Sequence, residues 1–260
     1  MIIYFSGTGN TKAVATRLGE LLHEPVYALD KVPDSAAVGE RVIWCFPIYS
    51  WGVPPVVRKE IASVNLSGAE SARHYMVCTC GDDAGLAVKM WRRDVKRRGW
   101  NPRAAHSVIM PNTYVALPGF DVDSKAVTAL KLHKSLKRIA DVAHAIKCGS
   151  PIDSITRGKF PWIKTRIIYP LFMWALTNPK GYRVDGSKCI SCGKCKQICP
   201  MGNITMVDGR PTWGKNCAMC MACYHVCPTH AINYKNETRK KGQYLYCKSI
   251  AQDDSGQTRR

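Results

Sequence analysis

Eight cysteines between positions 189 and 227 fall into two identical runs, and nothing else in the chain restricts its folding so tightly. Cys189, Cys192, Cys195, Cys199 and Pro200 recur 28 residues later as Cys217, Cys220, Cys223, Cys227 and Pro228, so both copies read C-x2-C-x2-C-x3-C-P. Each copy then reaches an isoleucine, Ile204 or Ile232. Three thiolates delivered by one tight loop, with a fourth arriving from elsewhere, suit a compact 4Fe-4S cubane. Pairs of the form C-x2-C also fit tetrahedral zinc, but zinc requires neither the third cysteine two residues on nor the closing proline. A segment as short as 182–236 buries too little apolar area to fold unaided. The metal centres are therefore expected to serve as its core, with metal binding coupled to folding.

The two runs resemble those of bacterial ferredoxins, in which the fourth cysteine of each copy serves the other cluster. The resemblance implies one cluster on Cys189, Cys192, Cys195 and Cys227, and a second on Cys217, Cys220, Cys223 and Cys199. Four other cysteines, Cys45, Cys78, Cys148 and Cys247, read as packed or incidental thiols. His225 and His230 flank the second run and read as spacers, since eight thiolates already suffice.

Ahead of the cysteines, residues 1–148 alternate short β-rich runs with helical stretches, the pattern of a parallel sheet flanked by helices. Strands are predicted at Ile2–Phe5, Val26–Leu29, Arg41–Phe46, His74–Cys80 and Ala105–Met110. Helices are predicted at about Asn10–His23, Pro54–Val64, Ala84–Arg98 and Asp123–Lys147. The fold class expected is α/β, a flavodoxin-like doubly wound parallel five-stranded sheet, followed by a small α+β two-cluster ferredoxin domain.

The first strand runs directly into Ser6, Gly7, Thr8, Gly9, Asn10 and Thr11 and then into a helix. Glycines let backbone N–H groups turn toward an anion, the hydroxyls add donors, and the helix N-terminus adds a favourable dipole. A Rossmann loop needs a third glycine where Lys12 stands, and a Walker A loop needs a Gly-Lys pair that is missing, so neither NAD nor ATP binding is supported. The SGTGNT loop is similar to the FMN-phosphate loop of flavodoxins. Taken with the cysteine runs, the whole chain resembles the bacterial and archaeal flavodoxin-ferredoxin fusion proteins. That resemblance implies an FMN cofactor held by Ser6–Thr11. It also implies ring contacts from Pro47, Tyr49, Trp51 and Gly52 after the third strand, and from Cys80 and Gly81 after the fourth. The stretch Gly81-Asp82-Asp83-Ala84 lacks the aromatic that flavodoxins often carry there, which leaves one ring face open to a partner or substrate. Pro111–Tyr114 is placed to close the site.

Residues 149–181 form a linker or docking segment broken by Gly149, Pro151, Pro161, Pro170 and Pro179, and residues 237–260 a polar tail. Within the linker, Lys159, Lys164 and Arg166 alternate with Phe160, Trp162, Phe172 and Trp174. This segment is expected to pack the two domains together, with a membrane-surface position as the alternative. The longest apolar stretch, 167–176, is too short to span a bilayer. Met1 to Ser6 run straight into the glycine loop, whereas a secreted disulfide scaffold usually opens with a signal peptide, so the reducing cytoplasm is the expected compartment.

The formal net charge is +19, with +7 in residues 1–150 (20 basic, 13 acidic) and +12 in residues 151–260 (18 basic, 6 acidic). Two clusters and a flavin phosphate would remove about six units. The basic run Lys89, Arg92, Arg93, Lys96, Arg97 and Arg98 reads as a solvated helix face, with docking of an acidic redox partner next and nucleic acid a distant third. The function expected is electron transfer between FMN and two 4Fe-4S clusters, joining one-electron and two-electron partners in an anaerobic setting. The alternative is an FMN- and iron-sulfur-dependent reductase of a small organic acceptor.

Overall fold

The computed structural model describes residues 1–176 and 179–246. The described chain forms two units. One comprises Met1–Ser6, Thr11–Pro111 and Lys125–Leu176; the other gathers Gly7–Asn10, Asn112–Ser124 and the described residues from Pro179 onward.

The first unit is built on a five-stranded sheet of β1 (Ile2–Tyr4), β2 (Val26–Ala28), β3 (Arg41–Pro47), β4 (Arg73–Cys80) and β5 (Asn101–Ile109), in the order β2-β1-β3-β4-β5. Every pairing is parallel, with Ile2 opposite Val26 and Ile43, Val42 opposite His74, and Cys78 opposite Ser107. This is the flavodoxin-like strand order, in which ligands bind beyond the carboxyl ends of the strands at the point where the order reverses, here between β1 and β3. The inner strands read as near-continuous apolar runs because both faces are covered: Val42, Ile43, Trp44, Cys45 and Phe46 of β3 are all buried. Covering helices are α1 (Asn10–Leu22), α2 (Pro55–Ser63), α3 (Ala87–Arg97) and α4 (Lys125–Lys147). Pro55 begins α2, where a missing N–H costs nothing. α3 buries Val88, Trp91 and Val95 on one stripe and leaves its basic residues outside.

Each element predicted for this half is present, with ends shifted by a few residues. The larger shift is β5, which begins at Asn101 and takes in Pro102 and Arg103. A pair of two-residue strands, Ala36–Ala37 and Leu66–Ser67, adds a small parallel pair too short to leave a sequence signal.

The second unit carries two antiparallel ribbons. β6 (Tyr182–Val184) pairs with β9 (Ile232–Tyr234), and β7 (Ile204–Val207) pairs with β8 (Arg210–Trp213). Two short helices, α5 (Lys194–Ile198) and α6 (Ala222–Val226), follow the cysteine loops. Its core holds Tyr182, Ile204, Met221, Tyr224, Ile232 and Tyr234 together with Cys195, Cys223 and Cys227. Cys247 and the tail beyond residue 246 lie outside the described residues.

Candidate iron-sulfur centres and the glycine loop

The 28-residue repeat is present in the backbone. α5 becomes α6, β6 becomes β8 and β7 becomes β9 under that offset. Each ribbon therefore takes one strand from each copy, an exchange that carries the fourth cysteine of one run to the loop of the other. Left-handed backbone recurs at matching positions: Ser191 and Met219 (φ 56° and 53°), Gly193 and Met221 (69° and 59°), Gly202 and His230 (56° and 51°).

Cys189, Cys192, Cys195 and Cys227 line a single concavity, walled by Met206 and Ile232. Burial pushes the Cys195 thiol up, and both Cys192 and Cys227 add like-charge repulsion to it. In the other set burial pushes Cys217 up, Cys220 up to about 12, and Cys223 higher still, and Cys199 repels all three. Thiols placed this way do not ionise on their own account; iron is the charge that would draw the protons off. Among the described residues, no three Cys, His, Asp or Glu side chains converge tightly enough to hold one metal ion. Backbone N–H groups already point at the sulfurs: Asn203 N to Cys199 Sγ at 3.4 Å, Ala231 N to Cys227 Sγ at 3.2 Å and Met219 N to Cys217 Sγ at 3.4 Å. The first two are equivalent under the 28-residue offset. Such bonds favour the charged sulfur and tune a cluster's potential.

The glycine loop lies between β1 and α1. Among the described residues, no backbone or side-chain acceptor takes the N–H groups of Gly7, Thr8 and Gly9, and the first turn of any helix leaves its N–H groups open. That is the donor set an anion needs. The glycines have a second use. A Cβ at Gly7 would stand 2.7 Å from the Cys220 carbonyl oxygen, and one at Gly9, whose φ is +98°, 2.9 Å from Tyr246 Cβ. Tyr246 N donates to Thr8 O at 3.0 Å and the Tyr244 hydroxyl to Asn10 Oδ1 at 2.7 Å. Thr11 Oγ1 pairs with Thr79 Oγ1 at 2.8 Å, and Ser6 is half-buried at the end of β1.

The residues after β3 and β4 have partners that the sequence did not announce. A helical stretch over 161–176 lies against them. Thr165 Oγ1 donates to Trp51 O at 2.8 Å and accepts from Leu86 N at 2.9 Å, and Tyr169 Oη donates to Val53 O at 2.7 Å. Lys164 Nζ lies 4.9 Å from the Trp51 ring centroid and 2.6 Å from Asp83 Oδ2. A Cβ at Gly52 would run into the Tyr169 ring. Tyr49 meets the edge of Phe5, and Tyr49 and Gly52 form a tight bridge between them. Pro47 ends β3 and Gly81 follows β4, both half-buried. The Cys80 thiol is held well above its ordinary range by a hydrogen bond with Cys78, and then by burial.

His225, read as a spacer, is wholly buried and joins three segments of the second unit. Its Nε2 donates to Thr113 O at 2.7 Å and its Nδ1 accepts from Tyr244 N at 3.2 Å, while burial lowers its pKa to about 4. The Tyr224 hydroxyl, which meets the carbonyls of Thr238, Lys241 and Gly242, escaped sequence reading altogether. Trp213, packed against the same core and stacked on Tyr182 with centroids 5.1 Å apart, did so as well.

These features are those of a small ferredoxin-type domain following a flavodoxin-like parallel sheet. The family comparison agrees for the cysteine-bearing segment. Residues 188–232 match the family of the 4Fe-4S dicluster domain. No curated protein matches the chain. Among solved structures, the Trp repressor binding protein from Bacillus subtilis is similar at 10% identity, over 55% of this chain and 96% of that one, with a TM-score of 0.34. A flavodoxin from Streptococcus pneumonia TIGR4 is similar at 15% identity, over 54% and 97%, with a TM-score of 0.30. Azoreductase AzrA is similar at 14% identity, over 58% and 99%, with a TM-score of 0.31. It is the strand order, rather than these distant likenesses, that defines the fold.

Proposed function

We propose that the chain is an electron-transfer protein carrying two 4Fe-4S clusters and a flavodoxin-type FMN, and that it couples one-electron to two-electron redox partners. The observation that carries this reading is the crossed grouping of the eight cysteines, with Cys227 lining one concavity beside Cys189, Cys192 and Cys195, and Cys199 repelling Cys217, Cys220 and Cys223. The open N–H groups of the glycine loop and the reversal of strand order beside it support FMN phosphate at Ser6–Thr11. Flavin exchanges one or two electrons and each cluster exchanges one, and that chemistry belongs to the cofactors.

The chain's part is to hold and tune them. N–H donors from Asn203 and Met219 in one group and from Ala231 in the other stabilise sulfur charge, and burial, which raises Cys220 and Cys223 in the first group and Cys195 in the second, opposes it. Lys89, Arg92, Arg93, Lys96 and Arg97 line an open basic groove on α3, which supports an acidic protein as redox partner. Reduction of a small organic acceptor would need an exposed ring face. The packing of Lys164, Thr165 and Tyr169 over the loops after β3 and β4 supports the carrier reading instead.

Anaerobic purification with metal and flavin analysis tests the proposal. One FMN and eight iron atoms per chain are expected, with both clusters visible by electron paramagnetic resonance after reduction. Four iron atoms, or none, would overturn the ligand assignment. Iron without flavin would overturn the FMN reading alone.

A further inference from the structure

The helical stretch over 161–176 has two unlike sides. Thr165 and Tyr169 face the body of the first unit and are tied to it by the hydrogen bonds described above, so the stretch has a fixed orientation. On its other side Phe160, Ile163, Ile167, Leu171 and Trp174 recur at steps of three and four residues and stand in water, Phe160 72% and Trp174 84% exposed. Trp162, Ile168 and the Ile152 side chain are exposed nearby in sequence. An apolar stripe of this length has a free-energy cost in water unless something covers it.

Charge selects the occupant. From Ser154 to Val184 the sequence contains six basic residues, Arg157, Lys159, Lys164, Arg166, Lys180 and Arg183, and no acidic one. Arg157, Lys159 and Arg166 are exposed beside the stripe. A second copy of the chain, itself at +19, would bring like charge against this rim. Among the described residues, no helix is long and apolar enough to cross a bilayer, and a 16-residue stretch falls short of the roughly 20 that a span needs. Apolar residues with two tryptophans and a cationic border are the composition of a helix that lies in the plane of an anionic lipid surface.

We propose that the 161–176 helix docks the protein on anionic phospholipid, with Phe160, Ile163, Ile167, Leu171 and Trp174 entering the interface and Arg157, Lys159 and Arg166 meeting the headgroups. The inference rests on this helix alone and stands or falls independently of flavin binding.

The test is vesicle sedimentation of the full-length, cluster-loaded protein. The vesicles are phosphatidylcholine with about 30 mol% phosphatidylglycerol, compared with phosphatidylcholine alone. Preference for the anionic vesicles is expected, weakened about tenfold or more between roughly 0.05 and 0.5 M salt. The double variant L171E/W174E should lose binding while keeping the visible absorption of its clusters, since both side chains are exposed. Failure of the wild-type chain to sediment with anionic vesicles would overturn the proposal, as would equal sedimentation of the double variant. So would lipid-free dimerisation that the double variant abolishes, because the stripe would then belong to a second copy.

Discussion

His74, on β4, has no exposed surface. The Trp44 indole N–H donates to its Nδ1 at 3.1 Å, which leaves the proton on Nε2, 2.9 Å from the Ala69 carbonyl. Trp100 stacks on the same ring at 4.8 Å. Both hydrogen bonds belong to the neutral imidazole, and burial lowers its pKa to about 4 against the pull of the Ala69 carbonyl and Glu70. Between about pH 6.5 and 4 the unfolded chain therefore binds a proton that the folded chain refuses. Stability is complete above pH 6.5 and falls as the pH drops through that window, by up to about 3 kcal/mol. Buried His106, lowered to about 4 by burial and then by Arg138, adds a slope of the same sign. Urea titrations from pH 7 to 4 followed by tryptophan fluorescence should show this slope, and His74→Leu should flatten it while lowering stability at pH 7. An unchanged slope in the variant would refute the assignment. Little of this was legible beforehand: strand alternation places His74 on a face, but the two indoles that enclose it come from positions 44 and 100.

At the scale of elements, the cysteine repeat was legible because cluster ligation fixes residue type and spacing together, and the backbone repeats with it. The helix over 161–176 was not legible, since Pro161 and Pro170 read as breaks. Pro161 instead starts the helix, where its missing N–H is harmless. The turn Lys164–Ile168 widens so that Tyr169 N reaches Lys164 O, which accommodates Pro170, the residue with no N–H to offer. The left-handed positions of the repeat permit a direct comparison. Gly202 has φ +56° and nothing within 4 Å of a Cβ built on it, and its repeat partner His230 holds φ +51° with a side chain. Gly202→Ala should therefore cost only backbone strain, about 1 kcal/mol after the smaller entropy of the unfolded alanine chain is counted. Denaturant unfolding of the cluster-loaded protein measures it. A loss above roughly 3 kcal/mol would mean the position is crowded rather than merely strained.

For the whole molecule, charge and the succession of α/β pattern and cysteine runs could be read from the chain, whereas the membership of the second unit could not. Gly7–Asn10 and Asn112–Ser124 join it through bonds such as Tyr244 Oη to Asn10, 234 residues apart, and Lys241 Nζ to Val115 O at 2.9 Å. Contacts at such separation leave no periodic trace in either segment. They do determine what iron removal should do. The parallel sheet has its own apolar core, in Ile2, Val42, Trp44, Phe46, Met76 and Trp91, and none of its residues is a proposed cluster ligand. The second unit packs Tyr182, Met221, Tyr224 and Tyr234 around thiols that repel one another once ionised. Without metal it loses both its cross-link and its charge balance. Anaerobic chelation of iron should abolish the near-ultraviolet signal of the Tyr182–Trp213 stack and open 182–235 to protease. It should also expose 112–124, because Thr113 is held by His225 and Val115 by Lys241. The far-ultraviolet signal of α1–α4 should persist. Cleavage confined to 182–235, with 112–124 still protected, would mean that the long-range bonds outlast the metal, and no cleavage of 182–235 would mean that the core of the second unit does not depend on iron.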